Sequence, residues 1–143
     1  MTIRLIILAA LLIFPALRAQ TDERRAVEVF FEAFHARDTT ALSRMFEPGA
    51  SLHTVVVRPT GNMAKAETIA DFLKGVASIP AGLRFEEKLT SWSIDSSGEL
   101  ANVWTDYEFY VDGKLSHRGV NCFVLYKFAE GWKILSLADT RKK

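Results

Sequence analysis

The apolar residues Val27, Phe30, Phe31 and Phe34 recur at i, i+3, i+4 and i+7, the spacing that lays one stripe along a helix. This predicts an amphipathic helix from Asp22 to about Arg37. Asp38 then caps a short second helix carrying Ala41, Leu42, Met45 and Phe46, which Glu47-Pro48-Gly49 stops. The stretch 50–57 is rich in β-branched residues and predicts a strand, and 58–65, with Pro59 and Gly61, predicts a loop. A third helix carries Ile69, Phe72, Leu73 and Val76 at core spacing and ends before Pro80-Ala81-Gly82.

Beyond that point the period changes from helical to alternating. Strands are expected over 83–94, 99–111, 114–128 and 132–138, separated by Asp95-Ser96-Ser97-Gly98, Asp112-Gly113 and Ala129-Glu130-Gly131. Asp112-Gly113 is the signal of a two-residue hairpin turn. Three helices leading into an antiparallel meander imply an α+β fold with the helices on one face of a curved sheet.

At 143 residues and 49% hydrophobic content the chain suits a single core. Arg4, the apolar run 5–14, Pro15 and Leu17-Arg18-Ala19 before Gln20 read as a secretory signal peptide over 1–19, cut at Ala19/Gln20 and leaving one domain over 20–143. An uncleaved anchor is the alternative, but the run is shorter than the ~20 residues that span a bilayer. The expected location is therefore periplasmic or secreted, with no membrane association after cleavage. With 18 basic and 17 acidic residues overall, loss of Arg4 and Arg18 leaves a nearly neutral chain, which argues against nucleic acid as a partner. The single Cys122 excludes an intramolecular disulfide and any cysteine-based zinc site. His53, His117 and Asp106 lack the short-range spacing of a metal site, so no metal and no cofactor is expected.

The order helix, helix, strand, helix and four long strands, together with F-F-E-A-F-H-A-R-D at Phe30 to Asp38, F-E-P-G-A-S-L at Phe46 to Leu52 and the segment from Ser116 to Thr140 with its G-W-K-I, resembles the nuclear-transport-factor-two-like superfamily. Ketosteroid isomerase, the SnoaL-like polyketide cyclases and the lumazine-binding-like proteins share this fold. The resemblance implies a cone-shaped curved antiparallel sheet with three N-terminal helices packed on its concave face. It identifies a fold rather than a reaction. Set against the isomerase, the place of its base is held by Thr54, with His53 beside it, and the place of its oxyanion tyrosine by Phe30. Its protonated aspartate is matched by Asn121, which still donates a hydrogen bond.

In this fold the position of Asn121 points into the cone. Pairing across Asp112-Gly113 then sets Glu108 opposite His117, Asp106 opposite Gly119 and Trp104 opposite Asn121, and opposite residues share a face. The expected pocket therefore holds Trp104, Asp106, Glu108, His117 and Asn121, with Phe123 deeper, Phe30 and Phe34 from the first helix, and His53 and Thr54 from the first strand. A carboxylate neighbour would raise the His117 pKa and let it act as acid or base, with Asp106 or Glu108 orienting it. Asp139 and Arg141 would close the mouth as an ion pair. His35 is expected at the surface, and Trp92 and Trp132 in core or rim packing.

The opposite face would carry Val103, Thr105, Tyr107, Phe109, Val120, Cys122, Val124 and Tyr126. No helix is expected to cover this apolar stripe, which implies a homodimer through the outer sheet face. Three functional readings follow. The first is a secreted or periplasmic protein binding a small apolar ligand in the cone. The second is a cofactor-free SnoaL-like isomerase, dehydratase or cyclase with His117 and Asp106 as catalytic acid and base. The third is a protein-association module.

Overall fold

The computed structural model describes residues 14–143, with side chains from Asp22 onward. The expected signal peptide and its cut lie outside the residues described with side chains. Helix α1 (Phe14–His35), helix α2 (Thr39–Met45), strands β1 (Phe46–Val57) and β2 (Met63–Glu67), helix α3 (Ile69–Ala77) and strands β3 (Phe85–Ser96), β4 (Leu100–Val111), β5 (Lys114–Phe128) and β6 (Gly131–Lys142) follow in that order. None of the described helices is long and apolar enough to cross a membrane.

Local chemistry sets the helix starts. The Asp38 side chain accepts the Ala41 N–H at 2.8 Å, and Thr68 accepts the Asp71 N–H at 3.1 Å, each supplying a partner for a first-turn donor that the helix itself cannot satisfy. The β4–β5 hairpin turns at Asp112 and Gly113 with φ of 47° and 77°, the left-handed pair that a type I′ turn demands.

The six strands form one curved sheet in the order β2-β1-β6-β5-β4-β3. Most neighbours are antiparallel, but β1 and β6 run parallel, so the sheet is mixed. The segment expected as a loop over 58–65 contains the start of β2, whose five residues are all exposed. An edge strand with no buried face carries no apolar alternation, which is why periodicity misses it.

The three helices lie on the concave face. Val27, Phe30, Phe31, Leu42, Phe46, Val76, Val103, Phe123, Leu125 and Ile134 form the core between helices and sheet. The Phe30 ring meets Phe31, Phe46 and Phe123 edge-on at 5.2, 6.0 and 5.4 Å, the arrangement that aromatic quadrupoles favour.

Bulges in β3 and β5 determine which residues of β3 and β4 reach this core. On β5, Tyr110 pairs with Leu115 but Phe109 pairs with His117, leaving Ser116 unpaired. One extra residue shifts the facing partner by one and exchanges the faces of the opposite strand. The expected pairings are therefore corrected. Asn121 faces Thr105, His117 faces Phe109, and Trp104 faces Cys122. Val103, Thr105 and Tyr107 are buried on the concave side, while Trp104, Asp106 and Glu108 lie on the convex side. A second bulge at Thr90 lets Phe85, Glu87 and Leu89 share the concave face with Trp92 and Ile94.

Candidate functional site in the mouth of the cone

Facing residues of neighbouring strands sit side by side, so a row across the sheet gathers one side chain from each strand. One row holds Thr54, Asp139, Asn121 and Thr105 from β1, β6, β5 and β4. Closer to the hairpin end, Tyr107 faces Gly119, and beyond them Glu87, Phe109 and His117 form another row from β3, β4 and β5. A Cβ at Gly119 would lie 1.8 Å from the Thr140 carbonyl oxygen. Glycine is required there by the close approach of two backbones.

These rows connect through hydrogen bonds. Asn121 Nδ2 donates to Glu87 Oε1 at 2.7 Å and lies 3.3 Å from Thr105 Oγ1. Thr54 Oγ1 donates to Asp139 Oδ1, and Arg141 Nε donates to Asp139 Oδ2 at 3.0 Å, the ion pair expected of these two residues. The Tyr107 hydroxyl donates to the Thr140 carbonyl at 2.8 Å and lies 3.5 Å from Asp139 Oδ2. His117 stacks on Phe109 at 4.8 Å, meets Tyr107 edge-on at 5.8 Å and has Nδ1 3.2 Å from Ser116 Oγ.

Burial pushes the Glu87 carboxyl up to about 7 from an ordinary 4.5; the Asn121 hydrogen bond works against this and the Asp139 charge adds to it. Burial also pushes the Tyr107 phenol well up, so it remains a donor. His117 moves the other way. Burial and the Arg141 charge hold it below its ordinary 6.5, with Asp139 pulling weakly back. The expected upward shift is corrected, because the carboxylates that were to cause it lie through the sheet.

The polar groups line a cleft of about 300 Å³ at the cone mouth, walled by Phe34, Phe72, Val76, Ile79 and Phe109 and reached by Glu67, Glu87, Tyr107, His117, Asp139 and Arg141. Beneath it lies a chamber of about 80 Å³ that Phe30, Phe34, Thr54 and Asn121 help enclose. A separate depression of about 330 Å³ lies between α1 and the β5–β6 turn, lined by Val29, Met45, Trp132 and the Lys127–Asp22 pair. It shares none of these polar groups.

The expected site residues therefore separate. His117, Asn121, Thr54, Phe30 and Phe34 reach the cone. Phe123 is fully buried beneath it and seals its base. Trp104, 44% exposed, and Asp106, which accepts from Ser91 Oγ at 2.6 Å, lie on the convex face. Glu108 sits there too, 3.5 Å from Arg118 and 2.7 Å from the Tyr110 hydroxyl. His53 is exposed and pairs with Ala66 and Ala138 while its neighbour Thr54 points inward. Asp106 and His117 thus stand on opposite faces of the sheet and cannot act as a pair.

His35, expected at the surface, is half-buried, and its Nε2 accepts the Glu87 N–H at 2.9 Å. Sequence reasoning missed Glu87, Tyr107 and Glu67. A legible signal existed for the first two: Glu87 interrupts the apolar set Phe85 and Leu89, and Tyr107 continues Val103 and Phe109. Exposed Glu67 offers none.

No family model matches the chain, and no curated protein does. Solved structures do. A candidate dehydratase of the NTF2-like family from Streptomyces avermitilis superposes with a TM-score of 0.67 at 20% identity, covering 90% of this chain and 99% of that one. A candidate scytalone dehydratase from Novosphingobium aromaticivorans gives 0.69 at 13%, covering 90% and 87%. An NTF2-like protein from Cytophaga hutchinsonii gives 0.69 at 12%, covering 86% and 98%. At such identities the likeness concerns architecture, and the helices on the concave face of a curved mixed sheet have the cystatin-like, NTF2-like fold.

Proposed function

We propose that the protein binds a small, mostly apolar molecule in the mouth of the cone. The observation that carries this reading is the cleft of about 300 Å³, at the lower end of the ~300–1,000 Å³ found for small-molecule sites. It combines aromatic walls with a few convergent polar groups. Gly75 lines it, and a Cβ at Gly75 would meet nothing within 4 Å. Gly75→Leu is expected to narrow the cleft while replacing a helical glycine, a change that stabilises the helix by roughly 0.5–1 kcal/mol. A screen of small aromatic and aliphatic compounds by amide-resolved NMR tests the reading. Binders should shift the Asn121 and His117 amides in the native protein and fail to do so in Gly75→Leu; retained binding in the variant overturns it.

A second reading is cofactor-free acid–base catalysis. It is favoured by Glu87 and His117 lining one cleft on either side of Phe109 with opposite shifts. A carboxyl raised toward neutrality can give a proton while a neutral imidazole takes one at the same pH. The resemblance to proteins named as dehydratases supports loss of water as the reaction class. Glu87 replaces Asp106 as the carboxyl partner. Once a turned-over compound is found, a bell-shaped pH–rate profile whose one limb vanishes in Glu87→Gln is the expected result.

The convex face supports self-association. Trp104, Leu100 and Tyr126 are 44%, 50% and 39% exposed, with Val120, Cys122 and Val124 beside them. Val103 and Tyr107, first placed in this surface, are in the core. A mass measurement by light scattering at micromolar concentration should give a dimer. The leader over 1–19 supports a periplasmic or secreted location, tested by sequencing the N-terminus of exported protein for a start at Gln20.

A further inference from the structure

The two edge strands of the sheet each send one carboxylate to the same cleft: Glu67 from β2 and Glu87 from β3. Asp139 lies between them, but Arg141 at 3.0 Å neutralises it. Among the described residues neither Glu67 nor Glu87 has a cationic partner. Glu87 Oε1 takes the Asn121 amide at 2.7 Å, while Oε2, on a part-buried side chain lining the cleft, takes no hydrogen bond from the described residues. Arg141 favours the Glu87 carboxylate at a distance, but its ion pair is made with Asp139.

No three acidic, histidine or cysteine side chains converge closely enough to hold a metal ion among the described residues. The spread suits a larger, organic charge. Phe72 and Phe109 add aromatic walls, whose faces attract cations. Resting on the reading of the cone as a binding cleft, we propose that its ligand carries a cationic nitrogen, an ammonium group held by Glu87 and Glu67, with its apolar part against Phe72 and Phe109.

The proton balance follows. Groups facing Glu87 are Asp139 and Arg141 from β6, His117 from β5, Tyr107 from β4 and Glu67 from β2. The helices bring no charged side chain to the cleft, only Phe34 from α1 and Phe72, Gly75 and Val76 from α3, with His35 accepting the Glu87 backbone N–H. An ammonium beside Glu87 favours its ionised form and lowers its pKa, so binding releases a proton near pH 6 and tightens as pH rises through about 7.

The test compares 2-phenylethylammonium with two near-isosteres, neutral 2-phenylethanol and anionic 3-phenylpropanoate, titrated into the full chain and followed by amide-resolved NMR. The ammonium is expected to bind about tenfold or more tightly than the alcohol, with the carboxylate weakest, in line with the worth of one charge-assisted pair. Glu87→Gln should remove most of that preference, and Glu67→Gln, on an exposed strand where folding is not at stake, should reduce it. Equal or tighter binding of the alcohol or carboxylate at the cleft amides overturns the cationic ligand and leaves the binding cleft standing. A preference unchanged in both variants, or surviving in Gly75→Leu, also overturns it. If none of the three perturbs the cleft amides at tens of millimolar, both readings fall.

Discussion

The mouth of the cone and the layer directly beneath it are built by the same strands, yet they obey different rules. In the lower layer Phe30, Phe31, Phe46 and Phe123 interlock edge-to-face with no polar side chain among them, and burial there contributes roughly 25 cal/mol per Å² of apolar surface. In the mouth, Glu87, Asn121, Asp139, Arg141 and Tyr107 hold one another at hydrogen-bonding distance. The aromatic layer stabilises. The polar layer holds the Glu87 carboxyl, whose pKa burial raises, so its ionised form costs stability.

The largest expected effect tests the lower layer. Phe123→Ala removes a fully buried ring and should lower the unfolding free energy by about 3–5 kcal/mol, read from the urea midpoint at unchanged slope. A loss below about 1 kcal/mol would mean that the aromatic layer is not the main support.

The next prediction bears on the mouth and has a definite sign with pH. The folded state raises the Glu87 pKa from 4.5 to about 7, so the fold favours the neutral carboxyl. Its stabilising share is fully present below pH 4.5, and it is lost as pH rises to about 7 and beyond. Glu87→Gln should therefore match the native protein near pH 4 and exceed it by up to about 3 kcal/mol at pH 8. A variant less stable at pH 8 than the native chain would show that the carboxylate is compensated.

A third change probes the join between the layers. Gly119→Ala places a Cβ against the Thr140 carbonyl, forces β5 from β6 and should cost about 1–3 kcal/mol. Because Tyr107 bonds the same carbonyl, its hydroxyl should also become more accessible, which ultraviolet pH titration would detect as a lower onset of ionisation. The smallest effect on folding belongs outside the cone: Trp104→Glu should alter monomer stability by less than about 0.5 kcal/mol while halving the mass seen by light scattering. An unchanged mass would remove the convex face from the account of assembly.

Much of the fold was legible because it rests on local rules. Asp38 and the apolar spacing around Leu42 set α2, Ile69 to Val76 set α3, and Lys114–Phe128 is bounded by Asp112-Gly113 and Ala129-Glu130-Gly131 as turn chemistry demands. The parallel β1–β6 pair was not legible, since strands far apart in the chain choose partners by tertiary packing. Nor was the placement of Trp104, Asp106 and Glu108. A simple count across the hairpin put them inside, whereas burying Val103, Tyr107 and Phe109 in their stead removes far more apolar surface from water. Ser116 bulges to allow it.

The sequence alone therefore determined the elements other than β2, the concave face of β5 with His117 and Asn121, and the Asp139–Arg141 pair at the mouth. Only the tertiary structure decided that Glu67, Glu87 and Tyr107 join them, and that Asp106 does not. The physical reason is that periodicity specifies which residues alternate, while bulges and strand order specify which alternate set meets the core. A single unpaired residue exchanges the two faces at a small local cost, and the whole sheet settles that choice by what it buries.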